Sequence, residues 1–338
     1  MTDPRRTADA GAQLEAVRTG DTLALARAIT AIENRTILGV ELDLALQDVR
    51  GRSRTMGVTG PPGAGKSSLI NALIDELLPI YPRIGILTVD PSSPVTGGAV
   101  LGDRVRMSAH SANSKVFIRS LAARGHLGGV TSMTRTVINL LIAGAMDLVI
   151  VETVGTGQSE VEVAGLTDVN IVVCAPGLGD ELQAIKAGIL EVANVLVVNK
   201  ADLPDADRTA NHLKAMLHHR GHEERRSVLK VSTVKRDGLS LLVREIEAQF
   251  AAPRETGPPA AIDTRLTLAD DTAALAAALV RGNSDTRLEK IIRELSLGHL
   301  SRRDAAISAL RLIGGHDAAE GGQKSSATDI KKVGVHNV

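Results

Sequence analysis

The chain has 338 residues, with 39 Lys plus Arg against 39 Asp plus Glu, one cysteine and 1% aromatic residues. Neutral charge excludes a protein held on bulk nucleic acid by clustered cations, and Tyr81, Phe117 and Phe250 alone make no base-stacking platform. The lone Cys174 excludes an intrachain disulfide framework and a Cys-rich zinc or iron–sulfur site. No apolar run reaches the roughly 18 residues of a membrane span, and the first residues (MTDPRRTADA) lack the apolar segment of a secretion signal. The expected place of work is the cytoplasm, with no membrane and no nucleic acid as partner.

Residues from about 9 to 48 read as an N-terminal helical extension, assigned to 1–50. Leu14, Val17, Leu23, Leu25, Ile29 and Ile32 recur at roughly helical spacing, and Asp21 is placed to cap a second helix. Gly51 to Thr55 is a polar, basic break. Short β-branched runs follow at Met56–Thr59, Ile84–Val89, Val116–Ile118, Leu148–Val151, Val169–Cys174, Val195–Val198 and Val228–Val231. Many are apolar throughout, as strands buried on both faces are. Helical candidates lie between them at Ser67–Leu78, Thr131–Gly144, Asp180–Glu191 and Arg208–His219. The alternation predicts an α/β domain over 51–250, doubly wound around a mainly parallel sheet. Residues 251–338 read as a linker (Ala251–Ala261), helices near Leu268–Val280, Thr286–Leu297 and Arg302–Ile313, and a polar, mobile tail from Gly314. The helices suit either a cap on the main domain or a dimerisation arm.

Gly60, Pro61, Pro62, Gly63, Ala64, Gly65, Lys66 and Ser67 fit the phosphate-binding pattern G-x-x-x-x-G-K-[ST], with Ser68 next. The motif follows one predicted strand and opens one predicted helix, which is the context it requires. Its glycines let successive N–H groups face inward, and the helix N-terminus adds a positive dipole end. Lys66 is placed to reach the β- and γ-phosphates, and Ser67 offers a hydroxyl to Mg²⁺.

Asn199, Lys200 and Asp202 form an N-K-x-D element after a late strand, where GTPases read guanine. One carboxylate accepts both guanine N1–H and N2–H₂, whereas adenine would leave it unpaired. The Lys200 stem is expected over the base. Ser232, Thr233 and Val234 follow the next strand, where a backbone donor to guanine O6 is expected. Asp90 and Glu152 end strands, and Asp103 sits beside Gly102. These carboxylates, with Ser67, are the candidate Mg²⁺ ligands and, with Lys66, the candidate catalytic groups. Gly155 and Gly157, with Gln158, belong to a loop expected to approach the γ-phosphate and move after hydrolysis. Gly97, Gly98, Gly128, Gly129, Gly177 and Gly179 mark further segments expected to respond to nucleotide. The histidines His218, His219 and His222 read as a solvated helix face, and Cys174 as a core residue.

The stretches VTGPPGAGKSS, VDPSSPVTGGAVLGDRVRM, FIRSLAARGHLGG, VIVETVGTGQSEVEVA and GLGDELQAIKAGILEVANVLVVNKAD resemble the methylmalonyl-CoA mutase-associated GTPase family, also called the ArgK or lysine/arginine/ornithine transport ATPase family. The resemblance runs from about Met56 to Leu217. It implies a G domain of the signal-recognition-particle/MinD type, a homodimer built with a C-terminal helical arm, and an adenosylcobalamin-dependent acyl-CoA mutase as partner. It further implies a GTPase chaperone that gates cofactor loading and protects or reactivates the mutase. The family's cobalamin is held by the mutase, and no cobalamin site is evident in this chain. A segment coupling nucleotide state to the mutase matches Pro176 to Lys186, with Asp180, Glu181, Gln183 and Lys186 as the expected contacts. Two other readings compete. A nickel metallochaperone GTPase would carry a His-rich or Cys-x-x-Cys element, which this chain lacks. An ATP-driven kinase or transport component is opposed by Asp202.

Overall fold

The computed structural model describes residues 4–47, 53–91, 110, 112–123, 129–153, 164–177, 187–219, 226–252, 272–273, 275–281 and 285–314. They belong to two compact units, Arg5–Ile262 and Asp263–Val338 with Met1–Pro4.

The first three helices are α1 (Pro4–Arg18), α2 (Thr22–Glu33) and α3 (Ile37–Leu46), which belong from Arg5 onward to the larger unit. Asp21 caps α2 as its position predicts: its Oδ1 accepts from Leu23 N at 2.8 Å and Ala24 N at 3.0 Å. Strands and helices then alternate as β1 (Arg54–Thr59), α4 (Lys66–Leu77), β2 (Ile84–Pro91), β3 (Val116–Ala123), α5 (Gly129–Ala143), β4 (Leu148–Thr153), β5 (Val169–Cys174), α6 (Ala187–Val192), β6 (Val195–Val198), α7 (Ala206–His219), β7 (Ser227–Lys230) and α8 (Leu239–Ala251). The seven strands form one sheet in the order β3-β2-β4-β1-β5-β6-β7, and every pairing is parallel. This is the doubly wound α/β architecture the alternation predicts.

Strands β4, β5 and β6 are buried along their whole length, which explains why they read as continuous apolar runs. Their side chains divide between two faces with period two. Leu148 and Ile150 join Met56, Val58, Ile84 and Ile86 beneath α4 and α8. Val149 and Val151 face the other way, onto a core with α5 and α1–α3. A third cluster packs Cys174, Leu196 and Val198 against α7. With so few aromatics, the core rests on aliphatic burial, at about 1.5–3 kcal/mol per fully buried Leu, Ile or Val. Tyr81 and Phe250 meet edge to face at 6.4 Å, and Arg54 lies over the Phe250 ring at 5.5 Å.

Strand β3 runs past the predicted Val116–Ile118 because polar residues are tolerated on an edge. Arg119 pairs with Glu33 and Thr30 on α2, and the Ser120 hydroxyl accepts from Thr88 Oγ1 at 2.8 Å. Strand β2 correspondingly reaches Pro91, with Asp90 paired to Ala122.

In the smaller unit, α9 (Thr286–Ser296) and α10 (Arg302–Ile313) are capped by Asp285 and Ser301 and bury Leu288, Ala309 and Leu312 with Val280 and Ile291. Most of the predicted linker and the tail beyond Gly314 lie outside the described residues. Among the described residues, no helix is long and apolar enough to cross a membrane.

Candidate nucleotide site

The phosphate loop turns between β1 and α4 at the C-terminal edge of the sheet. Two glycines are sterically required there. Gly60 has φ +141°, and a Cβ on it would stand 2.1 Å from the Val173 carbonyl oxygen of β5. Gly65 has φ +88°, and its Cβ would stand 2.4 Å from Asn199 Nδ2. No acidic residue occupies the first turn of α4, so nothing there offsets the positive end of the helix. Lys66 is buried at the head of that helix. Its Nζ donates to Gly60 O at 2.8 Å and Pro61 O at 3.1 Å.

Ser67 follows, also buried, and its hydroxyl donates to Glu152 Oε1 at 2.7 Å. Glu152 reaches this place because β4 lies beside β1: its backbone is in register with Val58 on one side and Thr88 on the other. At the next position the Thr153 hydroxyl donates to the Thr59 hydroxyl at 2.8 Å. This pair had no sequence signal, since a threonine ending a strand is ordinary. The Asp90 backbone lies near the end of β2, two residues beyond the register partner of Glu152. The candidate Asp103 lies outside the described residues, as do Gly155, Gly157, Gln158, Asp180, Glu181, Gln183 and Lys186.

The N-K-x-D element sits directly against the phosphate loop. Asn199 leaves β6 with its N–H donating to Cys174 O at 2.8 Å. Its carboxamide Nδ2 donates to Ala64 O at 3.1 Å and Gly65 O at 3.3 Å. Asn199 Oδ1 is buried and has no hydrogen-bond partner among the described residues. Lys200 adopts a left-handed φ of +56°, and its Nζ donates to Gly63 O at 2.8 Å. Such backbone strain in a non-glycine residue persists where surrounding bonds over-determine it.

Asp202 is held by the loop after β7. The Ser232 hydroxyl donates to Asp202 Oδ1 at 2.5 Å. That bond first, and the Asp202 backbone second, hold its carboxyl below the usual carboxylate range. Ser232 in turn accepts from Lys235 N at 3.2 Å, and its backbone exchanges two 3.0 Å bonds with Asp237. The Ser232 N–H is therefore engaged within the loop. Thr233 is half-buried, and Val234 is 83% exposed.

The fold thus brings Gly60 to Ser67, Glu152, Asn199 and Lys200 into one constellation, with Asp202 set by Ser232 beside it. Hard oxygen donors at Ser67 and Glu152 suit Mg²⁺.

The family described as methylmalonyl-CoA mutase-associated GTPase MeaB matches residues 25–280. A putative GTPase of Pyrococcus abyssi is 45% identical over 204 residues, covering 60% of this chain and 63% of that protein. The mitochondrial methylmalonic aciduria type A homolog of Mus musculus is 36% identical over 259 residues, covering 70% of this chain and 62% of that protein. The chain thus spans less than two thirds of the length of these relatives. A crystal structure of LAO/AO transport system kinase superposes with a TM-score of 0.60 at 25% identity, covering 93% of this chain and 99% of that one.

Proposed function

Because the chain belongs to the methylmalonyl-CoA mutase-associated GTPase family, we propose that it binds GTP and hydrolyses it to GDP and phosphate with Mg²⁺. The observation that carries this reading is the bonding of Asn199 and Lys200 to the carbonyls of Gly63, Ala64 and Gly65. In this reading the elements for base and phosphate form one site, with Asp202 as the acceptor for the guanine N1–H and N2–H₂ pair.

On binding, the Lys66 ammonium exchanges the Gly60 and Pro61 carbonyls for phosphate oxygens, and the N–H groups heading α4 face the same anion. Ser67 would hold Mg²⁺ together with the phosphates, with Glu152, Asp90 and Asp103 binding it directly or through water. When bound, the ion neutralises charge on the phosphate oxygens. The Ser67–Glu152 hydrogen bond keeps the serine hydroxyl oriented at the head of α4, and Glu152 places a carboxylate beside the reacting phosphate.

The family description and the mouse relative support a B12-dependent acyl-CoA mutase, such as methylmalonyl-CoA mutase, as partner. In this reading the GTPase cycle gates adenosylcobalamin loading and protects or reactivates the mutase in the cytoplasm, with cobalamin held by the mutase alone. The loop with Gly155, Gly157 and Gln158 continues from β4, and Asp180, Glu181, Gln183 and Lys186 precede α6. Their role in this reading is to carry nucleotide state to the mutase. A homodimer through the C-terminal helices is supported by the exposed Ile292, Leu295, Ile307 and Leu310 on α9 and α10.

The test has two arms. Phosphate release should depend on GTP and Mg²⁺, be weak with ATP, and be lost in Lys66→Ala. Recovery of an adenosylcobalamin-dependent mutase on the immobilised protein should differ between GDP and a non-hydrolysable GTP analogue. Equal use of ATP would overturn the base assignment, and nucleotide-independent recovery would overturn the partner coupling.

A further inference from the structure

Arg236 lies in the loop that holds Asp202, and its side chain crosses to the helix of the phosphate loop. Its Nη1 meets Asp75 Oδ2 at 2.9 Å, and its Nη2 meets Glu76 Oε1 at 3.0 Å, both on α4. The Arg236 backbone is left-handed, with φ +54°. A β-carbon disfavours that conformation, so it is retained where the loop and the side-chain bonds together demand it. The other Asp75 oxygen lies 3.6 Å from His110 Nε2, a nitrogen whose hydrogen-bond contact is with Asn71 O at 3.3 Å.

The connection is continuous at both ends. In the loop, the reciprocal Ser232–Asp237 bonds and the Lys235 N–H to Ser232 bond close a tight frame around Arg236, and the Ser232 hydroxyl leads to Asp202. On the other side, Asp75 and Glu76 share with Lys66 and Ser67 one uninterrupted helix. A helix is stiff over such a distance, about 1.5 Å per residue. The loop therefore has a fixed strut to the element that carries the phosphate contacts.

We propose that Arg236 is a positioning residue for guanine recognition: it sets the loop that orients Asp202 in a fixed relation to the phosphate-loop helix. A flexible chain between Asp202 and the phosphate loop would bind phosphate well and read the base poorly. The strut makes both contacts available in one geometry. This inference rests on the guanine-nucleotide reading above and adds to it the part that sets selectivity. An exposed ion pair with no such role would contribute little beyond a small stability term.

The experiment compares GDP, IDP and ADP affinities by calorimetry for the wild-type chain, Arg236→Gln, Arg236→Lys and the double variant Asp75→Asn/Glu76→Gln. IDP lacks the exocyclic amino group, so the GDP-to-IDP ratio reads how well Asp202 is aimed. The ratio should fall roughly 3- to 10-fold in Arg236→Gln and in the double variant. Arg236→Lys should restore part of it, since one ammonium reaches one carboxylate. A lowered melting temperature with an unchanged ratio in both variants would reduce Arg236 to a surface ion pair and overturn the proposal. Failure of the wild-type chain to prefer GDP over ADP would instead overturn the guanine reading itself.

Discussion

Ser67 Oγ and Glu152 Oε1 are joined by a 2.7 Å hydrogen bond between two buried side chains 85 residues apart. The bond ties the first turn of α4 to the end of β4, so the candidate metal ligand and the candidate catalytic carboxylate hold each other in place.

Glu152→Gln preserves an acceptor for Ser67 while removing the charge. GTP hydrolysis at saturating substrate should fall on the order of 10²-fold. GDP affinity should change less than about fivefold. Single-turnover phosphate release beside equilibrium GDP binding separates the two. Equal losses in both would place Glu152 in nucleotide binding and not in the chemical step.

Asp202→Asn exchanges an acceptor for a donor against the guanine edge. GDP affinity should drop about 10- to 100-fold while XDP, which carries a carbonyl where guanine carries an amine, gains. The carboxyl is held low chiefly by its bond from Ser232, so its charged form persists to lower pH than that of an ordinary aspartate. A depressed carboxylate contributes above its ordinary value and is lost only as pH falls through the lowered one. Guanine selectivity should therefore stay flat from about pH 8 to about pH 5. In Ser232→Ala the loss should begin at a higher pH, read by titrating a fluorescent GDP analogue.

Gly60→Ala and Gly63→Ala separate crowding from backbone conformation. Both positions have positive φ, but a Cβ at Gly60 strikes the Val173 carbonyl, whereas at Gly63 it meets nothing within 4 Å. Urea unfolding should report a loss of about 2–4 kcal/mol for the first and about 1 kcal/mol for the second. Similar values would mean that the β5 carbonyl yields.

Cys174 is fully buried, and burial pushes its thiol up to about 12. At about pH 8 the folded protein should resist iodoacetamide over hours, and react within minutes once unfolded. Because the folded value is raised, the stabilisation from keeping the thiol neutral is complete below its unfolded value of about 8.5. It is lost as pH rises through the folded value. Rapid modification of the native chain would show that β5 opens readily.

Much of this was legible from residue order. The β-strands read as apolar runs because a sheet covered on both faces demands it. Asp21 read as a cap because an N-cap acts on residues two and three positions away. Strand β3 was read short because the pattern stops at Arg119 and Ser120. Their partners, Glu33, Thr30 and Thr88, are supplied by elements distant in the chain.

The phosphate loop and the N-K-x-D element could be recognised by themselves, since each is a run of neighbouring residues whose chemistry depends on local spacing. Their junction could not. Asn199 reaches Ala64 across 135 positions, and Arg236 reaches Asp75 across 161. Such partners are chosen by the strand order, which sets β4 and β5 on either side of β1 and brings the ends of distant strands to one edge. Composition and local pattern determined that this chain has a nucleotide-binding loop. Only the parallel sheet decided which carboxylate meets its serine, which asparagine braces its glycines and which arginine joins the loop after β7 to its helix, because hydrogen bonds act over about 3 Å of space regardless of separation along the chain.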